Sequence, residues 1–144
     1  MKTKEILHVK VGGVLHTIAP DSLLSQALGI MVEQDIGSLV VMEHGKLVGM
    51  LTFREVLKAV DANKGATGDL RVKEMMTRAE VIGPDAEVDD LRRVMLEKHT
   101  RYMPVVEDGA VIGVLSFHDV AKAVLEEQAF ENRMLKGYIS DSVA

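Results

Sequence analysis

Residues 16–60 read HTIAPDSLLSQALGIMVEQDIGSLVVMEHGKLVGMLTFREVLKAV, and residues 80–124 read EVIGPDAEVDDLRRVMLEKHTRYMPVVEDGAVIGVLSFHDVAKAV. A shift of 64 residues places the first stretch on the second without a gap. The identical positions include Pro20 and Pro84, Glu43 and Glu107, Gly49 and Gly113, and Phe53 and Phe117. Such a repeat predicts two copies of one supersecondary unit, each covering the apolar face of the other.

Each copy begins with an extended piece and an amphipathic helix. The extended pieces, residues 15–19 and 80–83, end at Pro-Asp, which predicts a helix start with Asp21 or Asp85 as the N-cap. The helix that follows has an apolar stripe at helical spacing. Its members are Leu23, Leu24, Ala27, Leu28, Met31 and Val32 in the first copy, and Val88, Leu91, Val94 and Met95 in the second.

Each copy continues with a hairpin and a second helix. Apolar runs flank His44-Gly45 in the first copy and Asp108-Gly109 in the second, a pattern typical of β-hairpins. The predicted strands are residues 38–42, 47–51, 102–106 and 111–115, and the predicted helices are residues 55–62 and 119 towards 138. The order β-α-β-β-α in each copy predicts an α/β (α+β) fold in which helices cover small sheets.

The composition and net charge of the chain exclude several kinds of site and partner. The chain has 144 residues, no cysteine and a net charge of −5, which excludes disulfides and thiolate zinc sites and argues against nucleic acid as a partner. The N-terminus has no long apolar stretch, and no segment approaches the eighteen or so apolar residues of a membrane span. We therefore expect no signal peptide, no membrane association and a cytoplasmic protein.

Several motifs resemble the CBS (cystathionine β-synthase) domain, and they cover nearly the whole chain. They are residues 72–77 (VKEMMT), 82–85 (IGPD), 101–106 (RYMPVV) and 113–119 (GVLSFHD). The last has the form Gly, two apolar residues, Ser or Thr, two variable residues and Asp. Residues 3–7 look like a degenerate copy of residues 72–76. The chain is thus identified as a tandem CBS pair, with repeats at residues 1–62 and 72–126, a linker at 63–71 and a helical extension at 127–144.

The resemblance implies a pseudo-symmetric CBS-pair (Bateman) module with two clefts that bind an adenosine-containing ligand. We expect AMP, with ADP, ATP, NAD and S-adenosylmethionine as alternatives, and no metal. By the same resemblance Asp119 holds the ribose hydroxyls, Ser116 faces the phosphate, and apolar residues near the first strand enclose the adenine. The module is expected to form a homodimer and to signal, as an energy sensor, to an effector protein in trans.

The cleft of the second copy is the expected principal site. Ser116 ends a strand and opens a helix, where an anion is favoured. Arg101 and His118 are the expected phosphate contacts, and Pro104 leaves neighbouring backbone groups to bind the adenine edge. The predicted principal-site residues are Ile82, Arg101, Tyr102, Met103, Pro104, Ser116, His118 and Asp119.

The cleft of the first copy is expected to be weaker or structural. Glu55 replaces the Asp of the motif and carries its carboxylate one methylene further, and residues 38–40 lack the proline of residues 103–105. The predicted residues of this second cleft are Thr17, Ile18, Ser38, Leu39, Thr52, Arg54 and Glu55.

Two alternatives stay open. Ser116-x-x-Asp119 and Thr52-x-x-Glu55 also fit helix-capping patterns, which favours a scaffold module whose clefts bind nothing. An enzyme is less favoured, because the five histidines have no metal-ligand spacing and no serine has an evident base, so we predict no catalytic residues.

An apolar stripe continues past the second repeat. Its members are Val120, Val124, Ala129, Phe130, Met134, Leu135, Tyr138 and Ile139. It either packs across the module's own surface, or forms a dimer seam or docks an effector. The dimer is favoured, since a stripe on an overhanging helix otherwise stays exposed.

Overall fold

The computed structural model describes residues 1–9 and 14–143, and its elements repeat as the sequence does. Helix α1 spans Thr3–Val9. The first repeat then contains β1 (Thr17–Ile18), α2 (Leu24–Gln34), β2 (Ser38–Glu43), β3 (Lys46–Thr52) and α3 (Phe53–Ala62). The second contains a 3-10 turn (Val72–Glu74), α4 (Val88–Glu97), β4 (Tyr102–Glu107), β5 (Ala110–Ser116) and α5 (Phe117–Val143). The predicted mixed fold is confirmed.

The two hairpins confirm the turns that the sequence predicted. Strand β2 pairs antiparallel with β3, and β4 with β5. His44 and Gly45 have φ angles of 51° and 75°, and Asp108 and Gly109 have 51° and 79°. Positive φ at both central residues is the type I′ geometry, whose twist matches that of the flanking strands.

The first strand of the second repeat is shorter than predicted. Strand β1 pairs parallel with β2, but the predicted strand over residues 80–83 is reduced to one bridge between Ile82 and Val105. In the first repeat the Val40 N–H donates to the His16 carbonyl at 3.2 Å. The repeat-related residue, Pro104, has no N–H and cannot make this bond. The first sheet therefore has three strands and the second has two.

Two hydrophobic cores lie side by side, one in each repeat. Strand and helix residues at repeat-related positions form both cores. The pairs include Leu39 and Met103, Val41 and Val105, Leu51 and Leu115, and Val56 and Val120. The apolar pattern of the two copies is thus used in the same way in each.

The segment that begins each repeat packs against the other repeat. Val72 lies in the first core and Ile6 in the second. The backbone bonds are Val72 N–H to the Ser22 carbonyl, Lys73 N–H to Pro20, Thr3 N–H to Ala86 and Lys4 N–H to Pro84, each at 2.9 Å. Since Ser22 matches Ala86 and Pro20 matches Pro84, residues 3–7 are the structural counterpart of residues 72–76. The resemblance between these two segments is therefore confirmed.

The predicted Asp N-caps are wrong. Helix α2 begins at Leu24, and its N-cap is Leu23, whose N–H donates to the Gln26 Oε1 at 3.0 Å. Asp21 instead pairs with Lys73 at 2.7 Å, and Asp85 pairs with Lys4 at 3.0 Å. The hydrogen bond from Lys73 and its charge lower the pKa of Asp21. The carboxylates of Asp21 and Asp85 thus pair with lysines of residues 72–76 and 3–7, respectively, and do not cap the helices.

The helix stripes are confirmed except at one edge. Helix α2 buries Leu24, Ala27 and Met31. Helix α4 buries its stripe at Val88, Leu91 and Met95. Val32, predicted to belong to the first stripe, is 79% exposed because it lies at the edge of the face that α2 turns towards its sheet.

Helix α5 extends beyond the sheet that it covers. Val120 is buried and Ala123 and Val124 pack against the second core, but every described side chain from residue 125 to residue 139 is exposed. The large apolar ones are Leu125, Phe130, Met134, Leu135, Tyr138 and Ile139. The hypothesis that this stripe packs on the module's own surface therefore holds for Val120 and Val124 and is wrong for the members from Ala129 to Ile139. Within the described residues, no helix combines the length and apolarity needed to cross a membrane.

Candidate functional site

A cleft of about 2010 Å³ separates the two repeats. Residues at repeat-related positions line it from both sides. The pairs include Gly37 and Arg101, Ser38 and Tyr102, Thr52 and Ser116, Phe53 and Phe117, and Arg54 and His118. The walls of both predicted sites therefore meet in one continuous cavity.

The structure divides the predicted site residues between the cleft wall and the positions behind it. The wall includes Arg101, Tyr102, Ser116 and His118 of the principal set, and Ser38, Thr52, Arg54 and Glu55 of the second set. The others are not on the wall: Ile82, Met103, Pro104 and Asp119, and Thr17, Ile18 and Leu39. Successive strand residues face opposite sides, so Tyr102 and Ser38 face the cleft while Met103 and Leu39 enter the cores.

At the start of α5, Ser116 and Asp119 cap the helix reciprocally. The Ser116 N–H donates to the Asp119 Oδ2 at 2.8 Å, and the Asp119 N–H donates to the Ser116 Oγ at 3.0 Å. The capping pattern in the sequence is thus confirmed. It also fixes the direction of the Asp119 carboxylate before any ligand binds.

At the start of α3, Thr52 and Glu55 form the predicted capping box. The Thr52 N–H donates to the Glu55 Oε2 at 2.9 Å, and the Thr52 hydroxyl donates to the same oxygen. That hydroxyl also accepts the Arg54 N–H at 3.3 Å. The extra methylene of Glu55 lets its carboxylate accept hydrogen bonds from both the N–H and the hydroxyl of Thr52. The Ser116 hydroxyl instead accepts the Asp119 N–H.

The cleft is locally cationic in an acidic chain. Among the described residues of its wall, the Lys and Arg side chains are Arg54, Lys58, Arg78, Lys98 and Arg101, and the carboxylates are Asp35, Glu55 and Glu80. One pair, Lys98 and Glu80, forms an ion pair at 3.0 Å. Lys58, Arg78 and Lys98 were not predicted from the sequence, because they lie outside the motifs. Two helix N-termini and an excess of cations favour an anionic ligand.

Tyr102 reaches from the second repeat to Gly37 of the first. Its backbone pairs with Ser116 across β4 and β5. A Cβ added to Gly37 would overlap the Tyr102 hydroxyl and lie 2.8 Å from the Phe53 Cε2. Burial raises the pKa of the Tyr102 phenol, the Arg101 charge lowers it, and the Asp119 charge raises it further. Gly37 was not predicted as a site residue, although the second copy has Arg101 in its place.

A metal centre has no support in the described part of the chain. No group of three or more His, Cys, Asp or Glu side chains among residues 1–9 and 14–143 is placed to hold a metal ion. The candidate site is therefore a cationic cleft bordered by two capped helix N-termini.

The fold and this cleft define a module of two tandem α+β repeats that face each other. The family model for the CBS domain matches residues 11–62 and 72–126. The chain belongs to the CBS-domain family and contains two CBS repeats.

Relatives of known sequence agree with this assignment. The chain is 29% identical over 106 residues to the CBS domain-containing protein YhcV of Bacillus subtilis, covering 73% of this chain and 75% of YhcV. It is 33% identical over 106 residues to an inosine-5'-monophosphate dehydrogenase of Korarchaeum cryptofilum, but that match covers only 21% of the enzyme. The similarity to the dehydrogenase is thus limited to a small part of it.

Solved structures include CBS pairs with adenosine ligands. The CBS domain NE2398 is 34% identical with a TM-score of 0.82, covering 87% of this chain and 98% of that one. CBSX2 in complex with AMP is 28% identical with a TM-score of 0.67, covering 79% and 90%. The CBS pair of protein MJ0100, in complex with 5'-methylthioadenosine and S-adenosylmethionine, is 26% identical with a TM-score of 0.76, covering 88% and 98%.

Proposed function

We propose that this chain is a regulatory module that binds an adenine nucleotide in the cleft between its repeats and acts in trans on a partner protein. The observation that carries the proposal is the cleft itself, where two capped helix N-termini meet an excess of cationic side chains. CBSX2 with AMP and MJ0100 with two adenosine compounds support the ligand class. AMP is the proposed ligand, and energy sensing in the cytoplasm is the proposed role.

The proposed principal site lies at the start of α5. The Ser116 hydroxyl and the first N–H groups of α5 receive the phosphate, with Arg101 and His118 beside it. Asp119 is not on the cleft wall itself but is hydrogen-bonded to Ser116, which is, and it is the proposed acceptor of the ribose hydroxyls. Ile82, Met103 and Pro104 lie behind the wall and support the surface on which the adenine rests.

The second proposed site, at the start of α3, binds more weakly. The Thr52 hydroxyl already donates to Glu55 and accepts the Arg54 N–H, so a phosphate at this end competes with an existing cap. Ser38 and Arg54 provide further polar contacts on the wall, while Thr17, Ile18 and Leu39 lie behind it.

Titration calorimetry on nucleotide-free protein tests this proposal. We expect saturable binding of AMP, weaker binding of ADP, ATP, NAD and S-adenosylmethionine, and reduced affinity for AMP in Arg101→Ala. The reduction should be about tenfold or more, since loss of a charge-assisted hydrogen bond costs about 1.5–3 kcal/mol. Lys46→Ala, at the exposed start of β3, is the control and should bind as the wild type does. Absence of binding by all five compounds would contradict the proposal.

The module is further proposed to work as a homodimer. Large apolar side chains lie exposed along the cleft at Phe53, Leu57 and Leu96, and α5 carries five more beyond the second repeat. Monomeric proteins rarely expose apolar patches of that extent. A two-fold dimer would cover the same patch on both copies at once.

Leu57→Glu is expected to convert the dimer to a monomer. The substitution places a carboxylate in an apolar interface, where its desolvation is unfavourable. Light scattering coupled to gel filtration should give the mass of two chains for the wild type and of one chain for Leu57→Glu. Lys58→Glu, at the neighbouring exposed position, controls for charge alone. A wild type with the mass of one chain at high concentration would contradict the dimer.

One observation favours a second candidate function. Both motifs serve as helix caps in the structure, and a cap stabilises a helix by roughly 1 kcal/mol without any ligand. An interaction or scaffold module with unoccupied clefts would use the same residues. Calorimetry without binding, from protein that still forms the dimer or a partner complex, would favour this alternative.

A further inference from the structure

The Tyr102 ring occupies a place that exists only because residue 37 has no side chain. The phenol hydroxyl lies where a Cβ of residue 37 would be, and the Phe53 ring borders the same spot. Gly37 is close to the α3 cap, since its carbonyl accepts the Phe53 N–H at 3.2 Å. Tyr102 is close to the α5 cap, since its strand partner is Ser116. The ring thus spans the cleft between the two helix N-termini.

This arrangement has no counterpart on the other side of the pseudo-two-fold axis. There the position of Gly37 is taken by Arg101 and that of Tyr102 by Ser38. A serine is too short to cross the cleft, and an arginine side chain fills the space that Gly37 leaves open. The asymmetry is therefore specific to the side on which Tyr102 meets Gly37.

We propose that Tyr102 is an aromatic plug, held against Gly37, that a nucleobase must displace from the cleft. The proposal rests on the proposed nucleotide binding and adds the residue that limits it. The ring and a nucleobase that enters the cleft cannot both occupy the space beside Gly37 and Phe53, because the phenol already fills it. Displacement moves Tyr102 away from the first repeat, so occupancy changes the contact between the repeats.

The apparent affinity for the nucleotide equals the intrinsic affinity multiplied by the fraction of molecules in which the plug is open. If about one molecule in ten is open, removing the ring tightens binding about tenfold. Tyr102→Ser, which copies the residue at position 38, is therefore expected to bind AMP about tenfold more tightly than the wild type. Lys46→Ala, outside the cleft, is the control and should bind as the wild type does.

The position of the ring can be measured without any nucleotide. The chain has two tyrosines and no tryptophan, and Tyr138 is exposed on α5, so Tyr138→Phe leaves Tyr102 as the sole tyrosine emitter. In that background Gly37→Ala should expel the ring. Acrylamide quenching of Tyr102 then increases, and its phenol pKa, raised by burial, falls towards the ordinary value. Gly68→Ala is the control, because an added Cβ there has no neighbour within 4 Å.

The outcomes distinguish failure of the Tyr102 plug from failure of the proposed nucleotide binding. Unchanged or weaker AMP binding by Tyr102→Ser would overturn the plug and leave Tyr102 as an ordinary contact. Equal quenching in the Gly37→Ala and Gly68→Ala proteins would overturn it as well. If no variant binds AMP but Gly37→Ala still exposes Tyr102, the ring does fill the cleft, and it is the proposed nucleotide binding that fails.

Discussion

AMP at a hundred times its dissociation constant raises the midpoint of thermal unfolding by about 5–10 °C, and Asp119→Ala abolishes this rise. A ligand that binds only the folded state at that concentration stabilises it by roughly 2.7 kcal/mol. For a domain of 144 residues, each kcal/mol shifts the midpoint by a few degrees. Asp119 is the residue to change because it is the proposed ribose acceptor and its carboxylate is already oriented by the Ser116 N–H.

The control for this experiment has to separate the loss of AMP binding from the loss of the helix cap. Asp119→Ala also removes a cap, which lowers the midpoint of the free protein, so the measured quantity is the shift that AMP produces in each variant. Gln26→Ala removes the side chain that accepts the Leu23 N–H at the start of α2, outside the cleft, and should keep the full AMP shift. A full AMP shift in Asp119→Ala, or its loss in Gln26→Ala, would place the ligand elsewhere than proposed.

Ile6→Ala is expected to lower the free energy of unfolding by about 2–5 kcal/mol, although Ile6 lies close to the N-terminus. Terminal residues usually contribute little to stability. Ile6 is 2% exposed and belongs to the core of the second repeat, which its segment enters through the Thr3 and Lys4 backbone bonds. Urea unfolding followed by circular dichroism gives the change.

Lys4→Ala is the matched control in the same helix. Its ammonium pairs with Asp85 at 3.0 Å, but both side chains are largely exposed, and such pairs contribute about 0–1 kcal/mol. A loss below about 1 kcal/mol for Ile6→Ala as well would show that α1 is only loosely attached to the second repeat. A large loss for Ile6→Ala alone establishes that the N-terminal segment completes that core.

Much of the candidate site could be predicted from the sequence repeat. The motif around Ser116 and the run from Arg101 placed four principal residues on the cleft wall, because a strand end that opens a helix has a definite geometry. Because side chains alternate along a strand, Tyr102 and Met103 are expected to face opposite sides of the sheet. The sequence does not say which of the two faces the cleft. Gly37 and the cations Lys58, Arg78 and Lys98 were missed, since they join the wall only through the packing of one repeat on the other.

The sequence by itself determined the elements of the repeat. Asp108-Gly109 and His44-Gly45 specify their turns locally, and the spacing of Leu91 and Met95 specifies a helix face, because both depend on residues a few positions apart. Only the tertiary structure decided that Asp21 pairs with Lys73, that Ile6 enters the second core and that Tyr102 meets Gly37. These contacts join residues 52, about 100 and 65 positions apart in the chain, respectively. They arise because the N-terminal segment of each repeat packs on the other repeat and the two repeats face each other across the cleft, arrangements that no local pattern records.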